Sequence, residues 1–247
     1  MRFRSHNPVF ARVHSQASVD YSNVVTYKGV TLKTTFLLAI MMIVGAFTAV
    51  QFYNLDTISN GLIIAIIVAP IVGFICIIFA FVRPQSARIP SVFYAVAQGL
   101  FLGAISSMYQ ISFGDGIVAT ALLATLGVFI GMLILFGSGL IVVNDFFRSF
   151  MYMMLIGLVF SSLFFFIFAM ITGTASIGFL FGITIVGVIL ASLYLLIDFD
   201  NIQKAVHGSI DKRYEWILSL GLLVTLIWLY LEILRLLAIL RSRGGRR

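Results

Sequence analysis

The run Ile177-Gly178-Phe179-Leu180-Phe181-Gly182-Ile183-Thr184-Ile185-Val186-Gly187-Val188-Ile189-Leu190-Ala191-Ser192-Leu193-Tyr194-Leu195-Leu196-Ile197 carries no charge, and Asp198-Phe199-Asp200-Asn201-Ile202-Gln203-Lys204 follows it at once. At 1.5 Å per residue such a run is about 31 Å of helix, enough to cross the hydrocarbon core of a bilayer. An acid at the edge of a lipid-spanning helix is costly to keep charged, which makes Asp198 a functional-site candidate.

The rest of the chain reads the same way. Of its 247 residues 61% are hydrophobic and only 10% charged, against about 25% charged in soluble domains. Seven stretches have the length and apolarity of a spanning helix: about Thr34–Phe52, Leu62–Val82, Val92–Tyr109, Ile117–Val143, Phe150–Ile171, Ile177–Ile197 and Trp216–Leu240. They are continuously apolar rather than alternating every second residue, so the expectation is an all-α integral membrane protein and not a barrel. Residues 1–30 are polar and basic, without the apolar core of a secretory signal. They read as a poorly ordered cytoplasmic tail before a transmembrane domain at 31–241, with a basic carboxyl-terminal tail at 242–247. No internal repeat is present.

Charge placement sets an expected orientation. The tail and the even-numbered loops carry eleven cations, Arg2, Arg4, Arg12, Lys28, Lys33, Arg83, Arg88, Arg148, Lys204, Lys212 and Arg213, and three intervening loops carry none. The positive-inside rule then puts the amino terminus in the cytoplasm. Seven crossings leave Arg241, Arg243, Arg246 and Arg247 on the other side, a conflict that a re-entrant last segment would remove. The net charge of +7 is split between tails and short loops with no recognition motif. It therefore points to the membrane surface and not to nucleic acid. Cys76, the single cysteine, lies in an apolar run and reads as a packing residue.

Inside the bundle, glycines four apart occur at Gly99/Gly103, Gly127/Gly131 and Gly178/Gly182, a spacing that lets helices approach closely and here reads as bundle packing. In the seventh segment Gly221, Thr225, Trp228, Glu232 and Arg235 share one face, spaced by 4, 3, 4 and 3 residues. That face must look inward, since the alternative exposes Glu232 and Arg235 to lipid tails. Two readings of Glu232 stay open: it is neutralised by Arg235 three residues on, or it is the partner of Asp198. Extending the sixth helix to Gly208 and starting the seventh at Trp216 places Asp198 level with residue 226. Glu232 is then about 9 Å further along the axis, and Thr225 is the competing neighbour. Asp200, Asp211 and Glu215 are expected to face water or helix-end charges. The chain has no HExxH, P-loop or GxSxG motif and no metal-ligand spacing, so no enzymatic activity and no resident cofactor are expected.

Three motifs resemble those of the Bax inhibitor-1 family, in a bacterial branch with a long amino-terminal tail. They are Gln98-Gly99-Leu100-Phe101-Leu102-Gly103-Ala104-Ile105-Ser106-Ser107, Leu196-Ile197-Asp198-Phe199-Asp200-Asn201-Ile202-Gln203 and Leu229-Tyr230-Leu231-Glu232-Ile233-Leu234-Arg235-Leu236-Leu237. The resemblance covers about residues 30–240. It implies seven helices with the last one central, surrounded by the other six, and a bacterial plasma-membrane location. It further implies a pH-responsive calcium leak in which acids on the sixth and seventh helices share a proton and close the cytoplasmic side, aided by an arginine after the second helix. By motif these are Asp198, Glu232 and Arg83, with two carboxylates and neighbouring oxygens forming a weak calcium permeation site rather than a storage site. Thr225, Arg235 and Asp200 are their polar neighbours.

The sequence departs from the family pattern at three places: Glu232 stands where relatives carry aspartate, Arg235 where they often carry a neutral polar residue, and Gln98 where they often carry glutamate. Two carboxylates in contact cannot both ionise easily, which makes such a pair a pH switch. Arg235, one turn from Glu232, opposes that. The alternative implied by the family is a non-transporting regulator that binds a partner protein, such as a membrane quality-control protease.

Overall fold

The computed structural model of the chain describes residues 23–53, 60–174 and 176–244. Most of the expected tail lies outside them, as does the loop after the first helix. Seven long helices follow one another: α1 Tyr27–Tyr53, α2 Asn60–Val82, α3 Arg88–Phe113, α4 Ile117–Gly137, α5 Asp145–Thr172, α6 Ile177–His207 and α7 Glu215–Gly244. Each is long and apolar enough to cross a membrane. Short 3₁₀ turns at Pro84–Ser86 and Lys212–Tyr214 lead into α3 and α7.

The helix ends differ from the sequence reading for local reasons. α1 begins at Tyr27, inside the stretch read as tail, and the residues just before it are docked. Val24 forms an antiparallel bridge with Asp211, Val25 N–H donates to the Ile210 carbonyl at 2.8 Å, and the Val25 side chain is buried. α4 stops at Gly137 instead of continuing to Val143, because Gly139 turns the chain at φ +69°, where a residue with a Cβ is strained. α5 starts five residues early, since Asn144 caps it by accepting from Phe147 N–H at 2.7 Å. Ser176 caps α6 in the same way, and α6 runs on past Asp198 to its stop at Gly208.

The last helix is the centre of the bundle. α7 packs against α1, α3, α4 and α6, while α2 packs on α3 and α5 on α6 as outer helices. Leu220, Leu223, Leu229 and Leu234 of α7 are almost fully enclosed, whereas α5 has only Met151 buried among its twenty-eight residues. The exposed phenylalanines and isoleucines of α2 and α5 face where lipid belongs, which fits helices whose backbone groups are all paired internally.

Of the three glycine pairs, one makes a helix contact. A Cβ on Gly99 would stand 2.8 Å from the Met41 carbonyl oxygen, and one on Gly103 would stand 2.9 Å from the Cα of Gly45, so α1 and α3 touch backbone to backbone there. Gly127, Gly131 and Gly182 have nothing within 4 Å of that position, so packing inside the bundle does not explain them.

α7 also crosses the whole bundle. Its first residue, Glu215, meets Thr26 and Lys33 at one end, and Arg241 near its last turn donates to the Phe113 and Gly114 carbonyls at the other, at 2.8 and 3.1 Å. A re-entrant last segment is thereby replaced by a full crossing, and the end of α7 lies on the face opposite the start of α1.

Candidate functional site

The seam between α6 and α7 holds the acids singled out from the sequence. The two helices are antiparallel, and their register can be read at two places. A Cβ on Gly187 would fall 2.8 Å from the Glu232 carboxyl carbon, and a Cβ on Gly221 would fall 4.0 Å from Asp198 Oδ1. Both pairs belong to one register, eleven residues apart on each helix, so Asp198 and Glu232 are separated by about 16 Å along the axis. The structure does not bring them together. The sequence arithmetic erred by about five residues, because α7 sits further along α6 than level helix ends imply.

Asp198 keeps other company. Its neighbour on α7 is Gly221, and Thr225, the competing residue of the sequence reading, lies one turn further along that helix and donates its hydroxyl to the Gly221 carbonyl at 3.2 Å. The second carboxyl oxygen, Oδ2, is enclosed and has no hydrogen-bond partner. Burying a carboxylate oxygen without a donor is costly, so Asp198 is poorly explained as a structural residue. One turn before it, Tyr194 donates to the Met151 carbonyl at 3.3 Å and packs edge-on against Trp228 of α7 at 5.7 Å.

Glu232 is held differently. Arg235 Nη1 reaches both its carboxylate oxygens at 3.3 and 3.4 Å, and Trp228 Nε1 donates to Oε1 at 3.3 Å. Of the two readings left open, neutralisation by Arg235 is the one the geometry realises. Seated on Gly187, the carboxyl occupies a space that any larger residue there would fill.

Asp200 points away from Asp198 to the end of the bundle, where Arg148 of α5 and Lys204, at 2.8 Å, both pair with it; Arg148 also donates to Asn201 at 2.9 Å. These contacts tie α5 to α6 at a helix-end charge cluster, the environment expected for Asp200. Arg83 lies in the turn after α2, exposed, and makes no ion pair among the described residues. That turn rests on the Lys212–Tyr214 turn, which follows the end of α6 at His207, nine positions or about 14 Å of helix past Asp198.

Sequence reasoning missed Glu215. Expected to face water or helix-end charges, it is fully buried: Lys33 pairs with it, Thr26 N–H and Oγ1–H donate to it at 2.9 and 3.1 Å, and its carboxyl fills the space beside Gly29. Lys33 and Arg88 lie over the neighbouring Trp216 ring at 5.3 and 5.7 Å. The available signal was a lysine and a glutamate each at the edge of an apolar run on the same face of the membrane. Asp211, by contrast, caps its turn by accepting from Arg213 N–H at 2.8 Å.

Fold and seam together define an integral membrane protein of seven spanning helices whose last two hold ionisable groups between them. A family model described as Bax inhibitor 1 like matches residues 7–242. The chain belongs to that family, as its three motifs indicated. A comparison with curated proteins gives no match.

Proposed function

We propose that the chain is a cation leak protein of a bacterial plasma membrane, permeable to calcium and responsive to pH, and that it is a conduit rather than an enzyme. The amino terminus lies in the cytoplasm in this reading, as the basic loops favour. The observation that carries the proposal is the enclosed Asp198 Oδ2 without a donor. A proton and a cation both satisfy such an oxygen, so competition between them at Asp198 couples flux to pH. Because Glu232 is remote and paired with Arg235, the two acids act in series along the α6–α7 seam, and Asp198 alone carries the pH response.

Calcium flux into proteoliposomes tests this. Asp198→Asn is expected to flatten the pH dependence of flux and Glu232→Gln to retain it. Equal flux at every pH in wild type and both variants sinks the proposal.

A second reading, a regulator that binds a partner such as a membrane protease through its amino-terminal segment, is favoured by the absence of a paired-acid gate in this structure. Removing residues 1–22 spares the docked Val24 and Val25 and tests this reading: loss of partner binding on truncation, in a full chain that carries no calcium flux, supports the regulator, and flux that survives truncation supports the leak.

A further inference from the structure

A groove of about 820 Å³ runs between α1 and α4, with α7, α3 and α6 as its floor. Along α1 it is lined from Tyr27 to Ala49, about 33 Å of helix and the thickness of a bilayer's hydrocarbon core. Met42 and Ala46 form one wall, Leu122 and Leu126 the other, and Leu226 and Ile227 part of the floor.

The few polar groups are not evenly satisfied. Deep in the groove the Ser106 and Tyr230 hydroxyls bond each other at 2.7 Å, and Thr125 donates to the Ala121 carbonyl at 2.7 Å. Thr34 is different. The buried helix threonines Thr48, Thr125, Thr184 and Thr225 all donate to the carbonyl four residues back. The Val30 carbonyl that Thr34 would use lies 3.0 Å from the Ser219 hydroxyl, which also reaches the Glu215 carbonyl at 2.7 Å. The Thr34 hydroxyl is left enclosed and without a partner, on a residue only 6% exposed that lines the groove.

Charge gathers at the same end. Thr31 and Thr35 also line the groove, and Lys28 falls on their helix stripe by its spacing of three and seven residues. Lys28 is exposed and makes no ion pair among the described residues. The buried acid nearby, Glu215, is already taken by Lys33. The groove is thus apolar along most of its length, with an unsatisfied hydroxyl at one end and, beside that end, a lysine that makes no ion pair among the described residues. We infer that it is a binding site for an anionic membrane phospholipid, which lays an acyl chain between α1 and α4 and places its phosphate and glycerol oxygens at Thr34 and Lys28. Anionic headgroups are attracted to such basic membrane-surface residues.

The inference is independent of ion conduction. It is tested by native mass spectrometry of the full chain released from detergent, titrated with phosphatidylglycerol or phosphatidylcholine of identical acyl chains. Wild type is expected to retain one phosphatidylglycerol at least fivefold more strongly than phosphatidylcholine. Ala46→Trp, which fills the groove, is expected to lower retention tenfold or more. The near-isosteric Thr34→Val is expected to lower it several-fold with an undiminished thermal midpoint, and Lys28→Gln to erase the preference for the anionic lipid. Equal retention of the two lipids by wild type, wild-type retention in Thr34→Val, or a lipid-free dimer in place of the adduct overturns the inference.

Discussion

Two glutamates of α7 each press on a glycine of a neighbouring helix, and their surroundings could hardly differ more. Glu215 sits on Gly29 at one end of the bundle, fully buried, with a lysine and two donors from Thr26. Glu232 sits on Gly187 in the other half, with an indole and a half-exposed arginine at longer range. In the first, both carboxylate oxygens meet donors, so it serves to lock α1 onto α7. The second is loosely held, and the acid nearest to it on α6 is about 16 Å away. Burial of a charge is therefore a poor guide to function here, and incomplete satisfaction is the better one. By that measure Asp198 stands out and Glu215 does not.

That contrast can be broken in graded ways. Lys33→Met should have the largest effect, because it leaves the Glu215 carboxylate buried without its cation. A loss of about 3 kcal/mol is expected, read as a lowered thermal midpoint in detergent and restored in part by a second change, Glu215→Gln. Gly187→Ala should come next: the new methyl would stand 2.8 Å from the Glu232 carboxyl carbon, and displacing that side chain should cost about 1–2 kcal/mol. An unchanged midpoint would mean that Glu232 leaves its seat freely. Arg235→Gln should be the smallest, under about 1 kcal/mol, since a half-exposed ion pair contributes little. Its informative readout is flux rather than stability, with the pH profile of calcium entry expected to stay that of wild type. A profile shifted by this change would return Glu232 to the gate.

Much of the architecture was legible without coordinates, because lipid imposes a length and an apolarity that few other constraints imitate. All seven spans and the Gly208 stop of α6 could be read that way. The helix ends could not, since the apolar run Leu140 to Val143 continues past the stop of α4, and the docking of Val24 and Val25 depends on the α6–α7 turn far along the chain. The relative slide of two antiparallel helices was equally hidden. It depends on which glycine receives which side chain, so Asp198 met Thr225 and Gly221 instead of Glu232. Glu215 escaped because its partners, Thr26 and Lys33, lie some 180 residues earlier in the chain.

The helix that α1, α3, α4 and α6 all lean on is made after the other six. During synthesis, which proceeds from the amino terminus, six helices must wait in the bilayer around a missing axle. The membrane must hold Lys33, whose ionic partner among the described residues is on α7, in some provisional arrangement. A chain cut short after α6 would lose its core and not its edge, which makes the thirty residues of α7 the quality checkpoint of the bundle.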